Sequence, residues 1–169
     1  MGSFTIDFAQ IGMADIARVG GKNASLGELF KALKPQGVGV ADGFAVTSDA
    51  YWHLLDQAGL RGKLNALFEK FDPENVEQLA ERGHAARAAI LETPLPDDLN
   101  QAISEAYSRL VSRLGRQAEL AVRSSATAED LPEASFAGAA ETFLNVRGRE
   151  NLLRAVHQCF ASTLHRSSH

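Results

Sequence analysis

The sequence has a single cysteine, Cys159, so no disulfide can close within the chain. That usage fits a reducing compartment. Basic charge is not in excess: 17 lysines and arginines face 21 aspartates and glutamates, for a formal net charge of −4. No global positive field draws such a chain to DNA, RNA or an anionic membrane, although a local anion site needs only a few groups. No apolar run approaches the roughly 20 residues that span a bilayer. Met1-Gly2-Ser3-Phe4-Thr5 is not a charged head followed by an apolar segment, so no secretory signal is read. The expectations are a cytoplasmic chain without nucleic-acid or membrane partners. There is no internal repeat and no low-complexity tract, and His53, His84, His157, His165 and His169 show no metal-ligand spacing.

What is present is ordinary for a globular protein. The 169 residues are 45% hydrophobic and 22% charged, enough for one domain with a core. After Gly20-Gly21-Lys22, the residues Leu26, Leu29, Phe30 and Leu33 recur at the spacing of one helix face. Pro35 and Gly37 stop that helix. Residues 38–40 and 44–47 are predicted as short strands split by the turn pair Asp42-Gly43. Ser48 is read as the N-cap of a helix facing inward with Tyr51, Leu54, Leu55 and Ala58, ended by Gly59. Leu60, Leu64, Leu67, Phe68 and Phe71 predict another. Asp72-Pro73 reads as cap and first-turn proline of a fourth, with Val76, Leu79, Ala86 and Ile90 inward. Beyond Pro94 and Pro96 a fifth carries Leu99, Ile103, Ala106, Tyr107, Leu110 and Leu114. Leu120-Ala121-Val122 and residues 142–146 predict strands. Gly148 precedes a last helix with Leu152, Leu153, Val156 and Phe160. The fold class is α+β, a small sheet flanked by helices.

Three segments carry candidate chemistry. Gly20-Gly21-Lys22-Asn23 places two permissive residues and a lysine ahead of a helix. The first helical amides lack intrahelical partners and attract anions. The spacing is not that of a P-loop, and the alternative is a loop with a solvated lysine. Arg123-Ser124-Ser125 follows a strand; the guanidinium fork suits phosphate, or else a salt bridge to Glu129, Asp130 or Glu141. Ser135-Phe136-Ala137-Gly138 suits a flap over phosphates or an ordinary hairpin turn. Glu129, Asp130, Glu133 and Glu141 are weaker candidates for Mg²⁺. Cys159, beside Phe160 on an apolar face, reads as packed rather than reactive.

Taken in order, these blocks resemble the phosphoenolpyruvate synthase (pyruvate, water dikinase) family. The resemblance rests on Val19-Gly20-Gly21-Lys22-Asn23-Ala24-Ser25-Leu26-Gly27-Glu28, on residues 37–47, on Ala121-Val122-Arg123-Ser124-Ser125-Ala126-Thr127-Ala128-Glu129-Asp130, on Ala134-Ser135-Phe136-Ala137-Gly138, and on Glu141-Thr142-Phe143-Leu144-Asn145-Val146. It runs from about Phe8 to about Ser162. It implies that residues 1–162 are the N-terminal portion of a dikinase ATP-binding domain, ATP-grasp-like, with residues 163–169 a tail unlike the family. It implies ATP as the ligand, with Lys22, Arg123, Ser124, Ser135, Ala137 and Gly138 as its contacts. Mg²⁺ is implied too, its ligands expected mainly beyond this span. In the family a phosphohistidine on a separate domain then converts pyruvate to phosphoenolpyruvate, leaving AMP and phosphate. Pyruvate therefore concerns domains not present here, and the span alone is expected to be inactive. Where a glutamine is expected after Gly138, this chain has Ala139. A rifampicin phosphotransferase resembles the same blocks. A non-catalytic interaction module, self-associating through a face left open, is the reading from another class.

Overall fold

The computed structural model describes residues 2–70, 72, 74–124 and 141–163. Seven α-helices and four short strands occupy these residues. The longest helix, α6 (Asp97–Leu114), shows why they form: Asp97 and Asp98 in the first turn complement the helix dipole. Leu99, Ile103, Ala106 and Leu110 then recur on one buried face, and Gly115, at φ 98°, ends the helix. Helices α3 (Ser48–Gln57) and α4 (Leu60–Phe68) part at Gly59, whose φ of 65° is open to glycine. Helix α5 (Val76–Leu91) starts later than Asp72-Pro73 predicts. The Asp72 carboxylate accepts from the Glu74 N–H in a preceding turn. Asn75 takes the cap, its side chain accepting from the Gln78 N–H at 3.1 Å. Val76 consequently sits outside the core, 71% exposed. Helix α7 (Arg149–Ser162) follows Gly148 and buries Leu152, Val156, Cys159 and Phe160.

The apolar faces of α3, α4, α5, α6 and α7 meet in one large core that includes Leu54, Leu55, Ile90, Leu99 and Ile103. A smaller core gathers Ile11, Val19, Ala24 and Ala45 near the N-terminus. It lies against α1 (Ile16–Val19) and α2 (Gly21–Leu33).

The sheet expectation needs correction. Among the described residues there are two separate antiparallel ribbons rather than one small sheet. Strand β1 (Thr5–Asp7) pairs with β2 (Phe44–Val46), Ile6 opposite Ala45. Residues 38–40 form no strand; Val38 is 47% exposed. The partner of β2 comes instead from the far N-terminus, a pairing too distant and too short for local patterning to disclose. Strand β3 (Leu120–Arg123) pairs with β4 (Thr142–Val146). Val122 opposes Phe143 while Leu120 opposes Val146, so β4 carries one extra residue. Asn145, at φ 57°, sits in that bulge.

Helix α2 also departs from its predicted face. Its inward residues are Ala24, Gly27 and Phe30, whereas Leu26 and Leu29 are 39% and 50% exposed. The cause is close approach. A Cβ on Gly27 would lie 2.6 Å from the Ile11 carbonyl oxygen. The helix backbone therefore packs directly on the Ile11 turn, and small residues take the inner positions that leucine would overfill.

Candidate functional site

The glycine pair works as a joint between two helices. Gly20 ends α1 and begins α2 at φ 84°, where a side chain would be strained. Its N–H donates to the Ile16 carbonyl at 2.8 Å. The Asn23 amide reaches back to the Val19 carbonyl, also at 2.8 Å, holding the joint from its other side. Lys22 is thus not ahead of the helix but the second residue of its first turn. Its side chain is exposed, and no described residue forms an ion pair with it. An exposed cation beside first-turn amides is suited to an anion, since both favour negative charge.

Arg123 ends β3, its backbone opposite Thr142. The strand is half-covered rather than buried, and Arg123 is exposed. No described residue pairs with its guanidinium. Glu141, one candidate partner and a weighed Mg²⁺ ligand, is engaged elsewhere: Arg87 of α5 donates to its carboxylate at 2.6 Å. Ser124 is committed to the ribbon. Its N–H donates to the Glu141 carbonyl at 3.0 Å, and its hydroxyl oxygen accepts from the Glu141 N–H at 3.0 Å. No described residue accepts from the hydroxyl, whose proton can then be donated to an anion. Sequence reading missed Arg87, although a lone cation in Ala85-Ala86-Arg87-Ala88-Ala89 stands out against its small neighbours. Ser135, Ala137, Gly138, Ala139, Glu129, Asp130 and Glu133 lie outside the described residues.

Lys22 and Arg123 belong to different packing units. Helix α2 rests on the Ile11, Val19 and Ala24 cluster, while β3 and β4 pack on α7 and the large core. Neither of two concavities lined by described residues includes either cation. One, about 850 Å³, is lined by Asp97, Gln101, Ser104, Glu105, Ser108 and Arg149 along α6. Its carboxylates, Asp97 and Glu105, are matched by Arg109 and Arg149, of which Arg109 pairs with Asp7 at 3.3 Å and Arg149 donates its Nε–H to the Ser104 hydroxyl at 2.6 Å, so the hollow carries no excess of positive charge. The other, about 360 Å³, runs beside β4 and α7.

Asp42, read as a turn residue, has a structural task. Its carboxylate accepts from Arg113 at 2.7 Å and from the Gly43 N–H at 2.8 Å, tying the turn before β2 to α6. Burial pushes the carboxyl up, but the Arg113 hydrogen bond, the Gly43 N–H and the Arg113 and Lys34 charges outweigh it. The group is held below the usual carboxylate range. Among the described residues, no three His, Cys, Asp or Glu side chains gather as a metal ion would need.

The family model described as the pyruvate phosphate dikinase AMP/ATP-binding domain matches residues 16–168. A phosphoenolpyruvate synthase of Synechocystis is 49% identical over 160 residues, covering 92% of this chain and 20% of that protein. One of Escherichia coli is 51% identical over 155 residues, 92% of this chain and 19% of the relative. A probable phosphoenolpyruvate synthase of Methanocaldococcus jannaschii is 44% identical over 149 residues, 88% of this chain and 12% of the relative. The chain thus spans a fifth or less of the length of these relatives.

Proposed function

The chain belongs to the pyruvate phosphate dikinase AMP/ATP-binding domain family, and from that premise we propose that it contributes phosphate contacts to an ATP site, with Lys22 and Arg123 as the cations. The fold we propose for the complete site is ATP-grasp-like. Ser124, Ser135, Ala137 and Gly138 join as hydroxyl and backbone donors around the phosphates. The observation that carries the reading is Lys22. It is exposed, without an ion-pair partner among the described residues, and fixed in the first turn of a helix by a glycine joint. That placement puts a positive charge in the first turn, where the leading helical amides lack intrahelical partners, and a phosphate group suits both.

In the longer relatives' reaction, as we propose it for the whole protein, ATP gives up its two outer phosphoryl groups and leaves as AMP. One group passes through a histidine to pyruvate and makes phosphoenolpyruvate, and water takes the other as phosphate. Phosphoryl transfer of this kind depends chiefly on positioning and on neutralising phosphate charge. Lys22 and Arg123 supply that neutralisation. They must converge on one polyphosphate, and since they stand on separate packing units, convergence is set by how those units are held. The described residues offer no ready cluster for Mg²⁺. We therefore assign them no metal role and expect the ion to arrive with the nucleotide and to be held by carboxylates beyond them. Complete turnover we place in chains of the relatives' length, with this span alone inactive. A rifampicin-type phosphotransferase would use the same contacts and differ in its acceptor.

Calorimetric titration with Mg·ATP tests the assignment of Lys22. Lys22→Ala should weaken binding by about 1.5–3 kcal/mol, the range for hydrogen bonds to charged groups, with the circular dichroism spectrum unchanged. Equal affinity in the variant and the parent would remove Lys22 from the site. The second reading, a self-associating module, is favoured by exposed Met13, Ile16, Leu26 and Leu29. Its mark would be concentration-dependent association that nucleotide does not alter.

A further inference from the structure

We infer that Arg87 is a positioning residue for Arg123, acting through Glu141 and Ser124; the inference rests on the reading of Arg123 as a phosphate contact. A two-stranded ribbon has little stability of its own and frays at its ends. Arg123 stands at such an end, so something outside the ribbon must fix its backbone if the guanidinium is to meet a ligand in one place. The described contacts supply a chain of three links. The Ser124 N–H donates to the Glu141 carbonyl at 3.0 Å, and the Ser124 hydroxyl stands in for the main-chain carbonyl by accepting the Glu141 N–H at 3.0 Å. This pair of hydrogen bonds extends the register in which Arg123 faces Thr142. Arg87 then donates to the Glu141 carboxylate at 2.6 Å from outside the ribbon.

The anchor is rigid because α5 is. Ala86, Ala89 and Ile90 bury one side of it in the large core, against α7. Only the arginine leaves this run of small residues, and it leaves toward the ribbon. The pair is half-open to solvent, with side-chain exposures of 40% and 29%. Such pairs add little to overall stability. Removing Arg87 should therefore loosen the end of β3 without unfolding the domain, which separates a positioning role from a structural one.

The test is the Mg·ATP dissociation constant of the parent, Arg87→Ala, Arg87→Lys, Arg123→Ala and the Arg87→Ala/Arg123→Ala double variant, with melting temperatures alongside. Arg87→Ala should bind about tenfold more weakly, a coupling ordinary for groups in one hydrogen-bonded network. Its melting temperature should hardly move, and Arg87→Lys should recover most of the affinity. In the Arg123→Ala background the loss from Arg87→Ala should shrink to within about twofold, because the group it positions is gone. Unchanged affinity in Arg87→Ala overturns the inference. So does an equal loss with and without Arg123, or a loss that tracks a lowered melting temperature and is not restored by lysine. A folded parent that does not bind Mg·ATP at all is a different result: it overturns the proposed function, and leaves Arg87 with nothing to position.

Discussion

Cys159 lies on the inner side of α7, 8% exposed. Burial, with a smaller push from the Glu141 charge, raises its thiol from the ordinary 9.0 to about 11. The folded chain therefore keeps this proton in a range where the unfolded chain has lost it. Between about 9 and about 11 the unfolded state binds fewer protons, so stability falls as pH rises through that window and is unaffected below it. Cys159→Ser should flatten the alkaline decline in melting temperature while leaving nucleotide binding intact. An identical alkaline profile in the variant would contradict the assignment. The packing of Cys159 was legible in the sequence, since a cysteine beside Phe160 on an apolar stripe has few other places to go. The partner of Glu141 was not. Which carboxylate meets which guanidinium depends on contacts between residues 54 apart, as with Arg87 and Glu141, and no local pattern carries that information.

Helices were the most readable elements, because their periodicity is local. The inward faces of α3, α4, α6 and α7 agree with the spacing of Leu54, Leu64, Ile103 and Val156. Helix α2 breaks the pattern. Counting apolar residues turns Leu26 and Leu29 inward, yet the Ile11 turn lies so close that only Ala24 and Gly27 fit beneath it. Gly27→Ala should therefore destabilise the fold by about 1–3 kcal/mol, the usual cost of overpacking, measured by urea denaturation. Leu29→Lys, on the exposed side, should stay within about 0.5 kcal/mol of the parent. If Leu29→Lys proved the more damaging of the two, the observed orientation of α2 would be contradicted. The start of α5 was misread for a comparable reason. Asp72-Pro73 has the chemistry of a helix start, but Asn75 offers a better-placed cap, and the Asp72 carboxylate is used by the turn before it.

Across the whole molecule, the mixture of helices and short strands was legible, and the antiparallel pairing of the strands into two ribbons was not. Each ribbon joins segments far apart in sequence: β1 with β2, and β3 with β4 across residues 124–141. The candidate cations follow that division. Lys22 rides on the small N-terminal core and Arg123 on the ribbon packed against α7. The segments that carry them were recognisable from their order, while their placement on separate units was not, because it depends on tertiary packing. A site shared by two units gains its affinity only when both present their charge to the same ligand, so each cation should be individually indispensable to tight phosphate binding. The measurement that bears most directly on this is calorimetric titration of the parent chain and Arg123→Ala with Mg·ATP at matched salt. The account predicts saturable binding to the parent and a loss of about 1.5–3 kcal/mol in the variant, with no change in fold. Binding of the same strength to both would contradict it.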